Sequence, residues 1–380
     1  MTEQLLEVPQ GQFMLRRLPE RPRELLQAWD AADEYLLAHV AAAKPADNAS
    51  ILVVNDTFGA LAVALSRYQL QAWSDSFLSQ QATRLNLQAN QLPIEQVTLV
   101  NSLAMPAAPF DWVLIKAPKT LALLEYQLLQ LRPYLSANTQ IVVAGMVKAL
   151  SSSVWTLLAR LIGTTSTSLA KKKARLIFAQ LDSNLITPAN PYPICYTLEN
   201  TAYRIANHAN VFSRDSLDIG TRFFLQHLPA SNLPLDVIDL GCGNGVVGLM
   251  AAVSNPAAAV HFVDESFMAV ASAQENFHAA FADTRQATFV VGDGLTGFTS
   301  ASADLILCNP PFHQHNTVGD QLAQSMFRES LRVLRNGGEL WVVGNRHLDY
   351  HANLKRLFKN CTLVASNAKF VVLKARLIRQ

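Results

Sequence analysis

The segment Val237-Ile238-Asp239-Leu240-Gly241-Cys242-Gly243-Asn244-Gly245 constrains this chain more than any other. A short apolar run predicts a buried strand, and three alternating glycines predict a tight turn. Val246–Val253 then begins a helical pattern that ends near Asn255-Pro256. Strand, glycine turn and helix in that order bring unpaired helix N–H groups to the carboxyl end of a strand, where open α/β sheets bind ligands. The spacing does not fit the dinucleotide fingerprint G-x-G-x-x-G, because Val246 stands where the third glycine belongs and Gly248 comes too late.

The surrounding order extends the pattern. Val260–Val263, Thr288–Val291, Asp304–Cys308 and Leu340–Val343 read as strands, with helices at Phe267–Ala280 and Leu322–Leu334 between them. Continuous apolar strands separated by helices predict a parallel sheet covered on both faces. Cys361–Ala365 and Phe370–Leu377 predict an antiparallel edge pair, and Asn336-Gly337-Gly338 predicts a helix end and turn. The N-terminal half repeats this order with weaker punctuation, so we expect an internal duplication. Gly59 falls on Gly245, Asp75 on Asp264 and Lys116 on Asn309, at offsets of 186, 189 and 193. Pro188, Pro191 and Pro193 mark a linker, which predicts domains over 1–185 and 195–380 joined by 186–194.

Composition narrows the function classes. Half the residues are hydrophobic and 16% are charged, which excludes a disordered chain. Lys and Arg number 31 against 29 Asp and Glu, so a nucleic-acid surface must be a local patch. Cys195, Cys242, Cys308 and Cys361 form no CxxC pair, which predicts a reducing compartment and no metal site. Met1–Leu18 lacks the apolar core of a signal peptide, and no apolar run approaches the length of a membrane span. A cytoplasmic protein with no membrane partner is expected.

The glycine loop suits S-adenosylmethionine, whose methionine part would pack against it. Asp264, just past the strand Val260–Val263, is placed to accept both ribose hydroxyls. Asp293 is placed to accept from an adenine amine, or else simply supports a turn. The candidate cofactor-binding residues are Asp239, Gly241, Gly243, Asn244, Gly245, Asp264, Glu265, Asp293 and Asn309.

The strand Asp304–Cys308 runs into Asn309-Pro310-Pro311-Phe312. The prolines fix the backbone, so the Asn309 side chain and the Pro310 carbonyl can accept both hydrogens of a planar exocyclic –NH2 group. That pulls the nitrogen toward tetrahedral geometry and frees its lone pair to attack a sulfonium methyl in line. Phe312 offers a ring to stack on the base. Asn309, Pro310 and Phe312 are therefore the candidate catalytic residues.

VIDLGCGNGVVGL, FVDES, LILCNPPFHQ and NRHLDY resemble the class I methyltransferases that modify guanine N2 in ribosomal RNA. NDTFGAL, KAPKTLALLE, KKKARL and NHANVFSRDSLDIGTRFFLQHL extend the resemblance over almost the whole chain. It implies two tandem class I, Rossmann-like domains of α/β type, the N-terminal one degenerate. Its large-subunit branch is the nearer, which implies 23S ribosomal RNA as substrate. A 16S substrate, or a non-catalytic RNA-binding assembly factor, stays open as the alternative.

The residues point the same way. Asn55-Asp56-Thr57-Phe58 replaces the glycine-rich run, and Lys116-Ala117-Pro118 replaces Asn309-Pro310-Pro311. Side chains at the first site should block a cofactor's approach. Lys171, Lys172, Lys173 and Arg175, with Lys116 and Lys119 near the old site mouth, are the candidate RNA-binding residues. A solvated helix face is the rival reading of KKKAR. Phe212-Ser213 and Asp218–Thr221 resemble a lid beside the cofactor, or Ser213 and Asp218 simply start a helix. His313 and His315 lack further metal ligands and suit RNA contact or solvation.

Overall fold

Short β-branched runs alternate with apolar helices in both halves, and each half buries its own sheet. The computed structural model describes residues 4–20, 24–282, 284–311 and 317–379, with backbone alone at 317–320. Phe312, His313 and His315 lie outside the described residues. The chain divides into two units, Met1–Tyr192 and Pro193–Gln380.

In the first, a hairpin of β1 (Gln4–Val8) and β2 (Gly11–Leu15) precedes α1 (Ala31–Ala43). There follow β3 (Ser50–Val54), α2 (Ala60–Ala64), β4 (Gln69–Ser74), α3 (Phe77–Ala89), β5 (Val97–Asn101) and β6 (Trp112–Lys116). The unit ends with α4 (Leu121–Leu131), β7 (Gln140–Met146), α5 (Ser152–Leu161), β8 (Thr165–Thr167) and β9 (Ala174–Ala179). The sheet runs β5-β4-β3-β6-β7-β9-β8, parallel except for β9, which is antiparallel to both its neighbours.

The second unit opens with a hairpin of β10 (Ile194–Thr197) and β11 (Arg204–Asn207), then α6 (Ile219–Leu225). Next come β12 (Asp236–Leu240), α7 (Val246–Ser254), β13 (Ala259–Asp264), α8 (Phe267–Phe281), β14 (Ala287–Val291) and β15 (Ala303–Cys308). Last are α9 (Thr317–Val333), β16 (Leu334–Asn345), α10 (Tyr350–Phe358), β17 (Thr362–Ser366) and β18 (Phe370–Arg376). Its sheet order, β14-β13-β12-β15-β16-β18-β17, repeats that of the first unit position for position. The predicted edge pair is present as antiparallel β17 and β18. Asn336-Gly337-Gly338 forms no free turn; it lies in the irregular start of β16, where the register against β15 shifts between Ala303 and Leu305.

Strand register fixes which residues correspond. Val54 pairs with Trp73 and Ile115, as Leu240 pairs with Val263 and Cys308. Lys116 therefore falls on Asn309, as the sequence predicts. Gly59 and Gly245 match as well: both are left-handed N-caps, at φ 82° and 76°. A Cβ on either would lie 2.7 Å from the helix behind it, against Thr83 or Ala273. The third correspondence needs correction. Ser74, not Asp75, falls on Asp264. Ser74 Oγ accepts the Ser76 N–H at 3.1 Å, just as Asp264 Oδ1 accepts that of Ser266 at 3.0 Å. Ser76 and Ser266 in turn cap α3 and α8.

The chain is tied down just before the segment read as a linker and again within it. The buried Arg132 guanidinium donates to the carbonyls of Leu161, Ile162, Asp182 and Leu185. Tyr192 donates its hydroxyl to Glu125 at 2.8 Å.

Each unit buries a carboxyl group beneath the helix that follows the loop after its central strand, α2 in the first and α7 in the second. Asp239 Oδ2 accepts the Gly248 N–H at 2.8 Å, and Asp56 Oδ2 accepts that of Ala62 at 2.8 Å. Burial pushes Asp239 up to about 8 and Asp56 up to about 7. For Asp239 the unfolded chain ionises near 4 while the fold holds the proton to about 8. Its contribution is complete below the unfolded value and is lost as pH rises through the folded one, at up to about 1.4 kcal/mol per pH unit. Asp239→Asn keeps an acceptor for Gly248 and cannot ionise. Calorimetry of the full chain between pH 5 and 8 should show a shallower loss of stability in this variant than in the wild type.

Candidate active site

β12, β13, β14 and β15 are parallel, so their carboxyl ends lie along one edge of the sheet. The residues that follow them are those singled out from the sequence. After β12, Gly241, Gly243 and Gly245 all take positive φ, at 71°, 54° and 76°. Only glycine adopts that region at little cost, so the alternating spacing is a backbone requirement. A Cβ on Gly243 would meet nothing within 4 Å. The loop thus presents bare backbone to open space there, which is the cradle a bound cofactor needs.

After β13, Asp264 spans the gap to this loop. Its Oδ2 accepts the Gly243 N–H at 3.0 Å while Oδ1 accepts from Ser266. Glu265 follows it at the same strand end. Asp293 stands two residues beyond β14, whose last residue, Val291, pairs with Asp264. Burial, and after it the nearby Glu329 carboxylate, raise the pKa of Asp293 above the usual range. Gly241, Gly243, Gly245, Asp264, Glu265, Asp293 and Asn309 are thus brought to one edge.

Two candidates are placed differently from what the sequence suggests. Asp239 lies under the loop rather than in it, at 2% exposure, bonded to the helix. Asn244 is buried and its amide is consumed internally. It donates to Asn207 Oδ1 at 2.9 Å and Tyr196 Oη at 3.2 Å, and accepts from Val246. Both residues build the loop.

The loop is pinned by a residue that sequence reasoning missed. Asn276 on α8 donates to the Asn244 carbonyl and to the Ala206 carbonyl, both at 2.9 Å, and accepts the Ala206 N–H at 2.7 Å. One buried amide thereby joins helix, hairpin and glycine loop. Asn86 does the same in the first unit, with Phe58 and Arg16 in place of Asn244 and Ala206.

After β15, Asn309 Nδ2 donates to Thr221 Oγ1 at 2.8 Å. Its Oδ1 is buried and has no hydrogen-bond partner among the described residues. An orphaned acceptor of this kind is costly unless a donor arrives. Pro310, next in the chain, is buried. Asn345, at the end of the neighbouring β16, carries another buried Oδ1 that has no partner among the described residues. Burial pushes the Cys242 and Cys308 thiols well above their ordinary range, so neither supplies a thiolate. Among the described residues no His, Cys, Asp and Glu group could hold a metal, and no helix is long and apolar enough to cross a membrane.

The equivalent edge of the first unit is filled by its own side chains. Asn55, left-handed at φ 62° like Gly241, donates to the Lys116 carbonyl at 3.1 Å and to Gln127 at 2.9 Å. Asp56 takes the helix N–H that Asp239 takes in the second unit, but from within the loop. The Lys116 ammonium sits 2.7 Å from both Asp30 and Asp33, with the side chain only 12% exposed. This corrects its assignment as a surface cation for RNA: two carboxylates neutralise it in place.

The other basic candidates are distributed differently. Lys172 and Lys173, at φ 49° and 63°, form the tip of a hairpin closed by Lys171 and Ala174 in both directions, at 2.9 and 2.8 Å. The run is therefore no helix face. Lys171, Lys172, Lys173 and Lys119 are exposed. Lys172 reaches Glu34 at 2.7 Å. Arg175 points inward far enough that its Nε is buried, with no partner among the described residues.

Comparison with known proteins agrees with both units. The family described as RLMG N-terminal domain matches residues 3–183, and the methyltransferase small domain matches residues 202–374. A ribosomal RNA large subunit methyltransferase G of Streptomyces coelicolor is 49% identical over 375 residues, covering 97% of this chain and 99% of that protein. Its counterpart from Pseudomonas paraeruginosa is 51% identical over 372 residues, covering 98% and 99%. Among solved structures, the 16S rRNA N2 G1207 methyltransferase RsmC of T. thermophilus, in complex with AdoMet and guanosine, matches with a TM-score of 0.77. That match is 20% identical and covers 99% of this chain and 98% of that one, so it speaks for the fold, two class I methyltransferase domains in tandem. Near-complete coverage at about half identity decides the family: the chain belongs to the ribosomal RNA large subunit methyltransferase G family.

Proposed function

We propose that this chain methylates the exocyclic N2 of a guanine in 23S ribosomal RNA with S-adenosylmethionine as donor, and that it works in the cytoplasm. The observation that carries the reading is the orphaned Oδ1 of Asn309, an acceptor waiting at the carboxyl end of β15. When bound, S-adenosylmethionine supplies an electrophilic methyl on a sulfonium. Gly241, Gly243 and Gly245 would admit its methionine part, Asp264 with Glu265 its ribose, and Asp293 its adenine. The second unit does this work, since the first has closed the corresponding edge with Asn55, Asp56 and Lys116.

Asn309 Oδ1 and the Pro310 carbonyl accept the two N–H bonds of the guanine amine. An amine held this way would lose the conjugation of its lone pair with the purine and offer that pair for methylation. The bound cofactor would supply the methyl and keep the S–C electron pair as a thioether, and the nitrogen would release one proton to solvent. Phe312, by its place in the sequence, stacks on the base. These residues position and polarise; they need not form a covalent bond. Because duplex RNA hides its bases, the target guanine must come from a loop, bulge or opened helix.

The first unit supplies the RNA affinity in this reading, through the hairpin tip Lys171–Lys173 with Lys119. Two consecutive lysines in the left-handed region, where Asn-Gly is the favoured pair, are held there at a cost of about 1–2 kcal/mol each. That is a reason to expect work from their charge.

Two outcomes check the reading. Asn309→Ala should lower turnover on 23S ribosomal RNA at least about 100-fold, by analogy with the loss of a preorganised oxyanion-hole group. Its S-adenosylmethionine affinity by calorimetry should stay near the wild type; wild-type turnover would remove Asn309 from the mechanism. Replacing Lys171 and Lys173 by Glu should weaken RNA binding and flatten its salt dependence in filter-binding titrations at two salt concentrations. Unchanged affinity and slope would assign both lysines to an ordinary solvated tip.

A further inference from the structure

An asparagine amide can rotate by half a turn with almost no change of shape. Only one of its two orientations turns the oxygen toward an incoming –NH2; the other sets donor against donor. Something must therefore fix which end of Asn309 faces the substrate. Thr221 is the partner on the other side, with its Oγ1 2.8 Å from Nδ2. A hydroxyl alone would not decide the matter, because it can donate or accept.

The decision comes from one residue further back. Thr221 Oγ1 lies 3.3 Å from Asp218 Oδ2. The same Oδ2 also accepts the Thr221 N–H at 2.8 Å, which holds the carboxylate against the first turn of α6. A carboxylate accepts and cannot donate. Thr221 must then spend its single hydroxyl hydrogen on Asp218, and it meets Asn309 with a lone pair. Asn309 must answer with its –NH2, which leaves Oδ1 facing the site, where it is buried and unpartnered. Gly220 leaves space for this arrangement: a Cβ there would lie 3.0 Å from Asp218 Oδ2 and 3.0 Å from the Phe370 ring. Thr221 itself is 6% exposed, so water does not compete readily for its hydroxyl.

We propose that Asp218 and Thr221 are positioning residues that set the polarity of the Asn309 amide, through a one-way chain of hydrogen bonds from Asn309 to Thr221 to Asp218. The proposal rests on Asn309 being the amine acceptor, as argued above. It also assigns the segment Asp218–Thr221 a role beyond starting α6.

The test compares Thr221→Val, which keeps the shape and loses the hydroxyl, with Thr221→Ser, which keeps the hydroxyl. Steady-state kinetics use 23S ribosomal RNA made by transcription, with S-adenosylmethionine binding measured separately by calorimetry. Thr221→Val should lose about 10- to 100-fold in kcat, with KM for RNA and cofactor affinity within about 3-fold of the wild type. Thr221→Ser should recover most of that loss. Asp218→Asn, which can donate as well as accept, should lie between them, because the chain is no longer forced to run one way. Equal impairment of the Ser and Val variants would overturn the proposal, since the hydroxyl would then be irrelevant. So would a fall in cofactor affinity that accounts for the lost turnover, because Thr221 would then serve the cofactor. Asn309→Ala run in parallel separates the two layers. If it is inactive while Thr221→Val is fully active, the positioning idea fails and the function stands. If Asn309→Ala itself is fully active, the acceptor reading beneath it fails.

Discussion

A ligand site at the carboxyl ends of parallel strands depends on backbone that no strand can hold. The loop after β12 leans on the sheet only at its start, where the Gly241 and Cys242 N–H groups donate to the Val263 carbonyl of β13 at 2.9 and 3.0 Å; beyond that its left-handed glycines give it no regular hydrogen-bond ladder. The Asn276 amide supplies that hold, with bonds to the loop carbonyl of Asn244 and to both polar groups of Ala206 on the hairpin. Being buried at 3% exposure, these bonds escape competition from water, and leaving any of them unmade would be costly. Asp264, the Gly243 N–H and the cradle in front of them all rest on a loop fixed this way. The same device recurs in the first unit through Asn86, so it belongs to the architecture the two units share.

That difference is a matter of where the polar groups are spent. Both units need a carboxyl group for a buried N–H of the helix after the loop, at Gly248 of α7 or Ala62 of α2. The second unit takes it from within strand β12, at Asp239, and so leaves the loop free to be bare. The first takes it from the loop itself, at Asp56, and fills the neighbouring positions with Asn55 and Thr57. At the end of the next strand, Asn309 keeps an acceptor open, whereas Lys116 brings a cation that must be neutralised by Asp30 and Asp33. One sheet topology therefore supports an open site in one unit and a self-satisfied surface in the other.

Much of this could be read along the chain. Apolar β-branched runs located the central strands, and the glycine spacing carried its own geometric reason, since every second residue needs positive φ. The Asn-Pro-Pro run at the end of β15 needed no tertiary information. What could not be read depends on partners distant in sequence. Thr221 gains its role from Asn309, 88 residues on, and the Lys116 cation is held by Asp30, 86 residues back. The hairpins β1–β2 and β10–β11 are held from a distance, by Asn86 and Asn276. Asp75 looked like the partner of Asp264 because the residue types agree. Strand register places it one residue further on, where it accepts from Ser102. Chemical likeness at an approximate offset is a weaker guide than pairing in the sheet.

The central claim is that a methyl group reaches guanine N2 in 23S ribosomal RNA through the open edge of the second unit. Nucleoside mass spectrometry of 23S ribosomal RNA from a strain lacking this chain tests it most directly. N2-methylguanosine should fall by one residue per 23S molecule, and be restored by the wild-type chain but not by the Asn309→Ala variant. An unchanged 23S content, or a loss confined to 16S ribosomal RNA, would contradict the account.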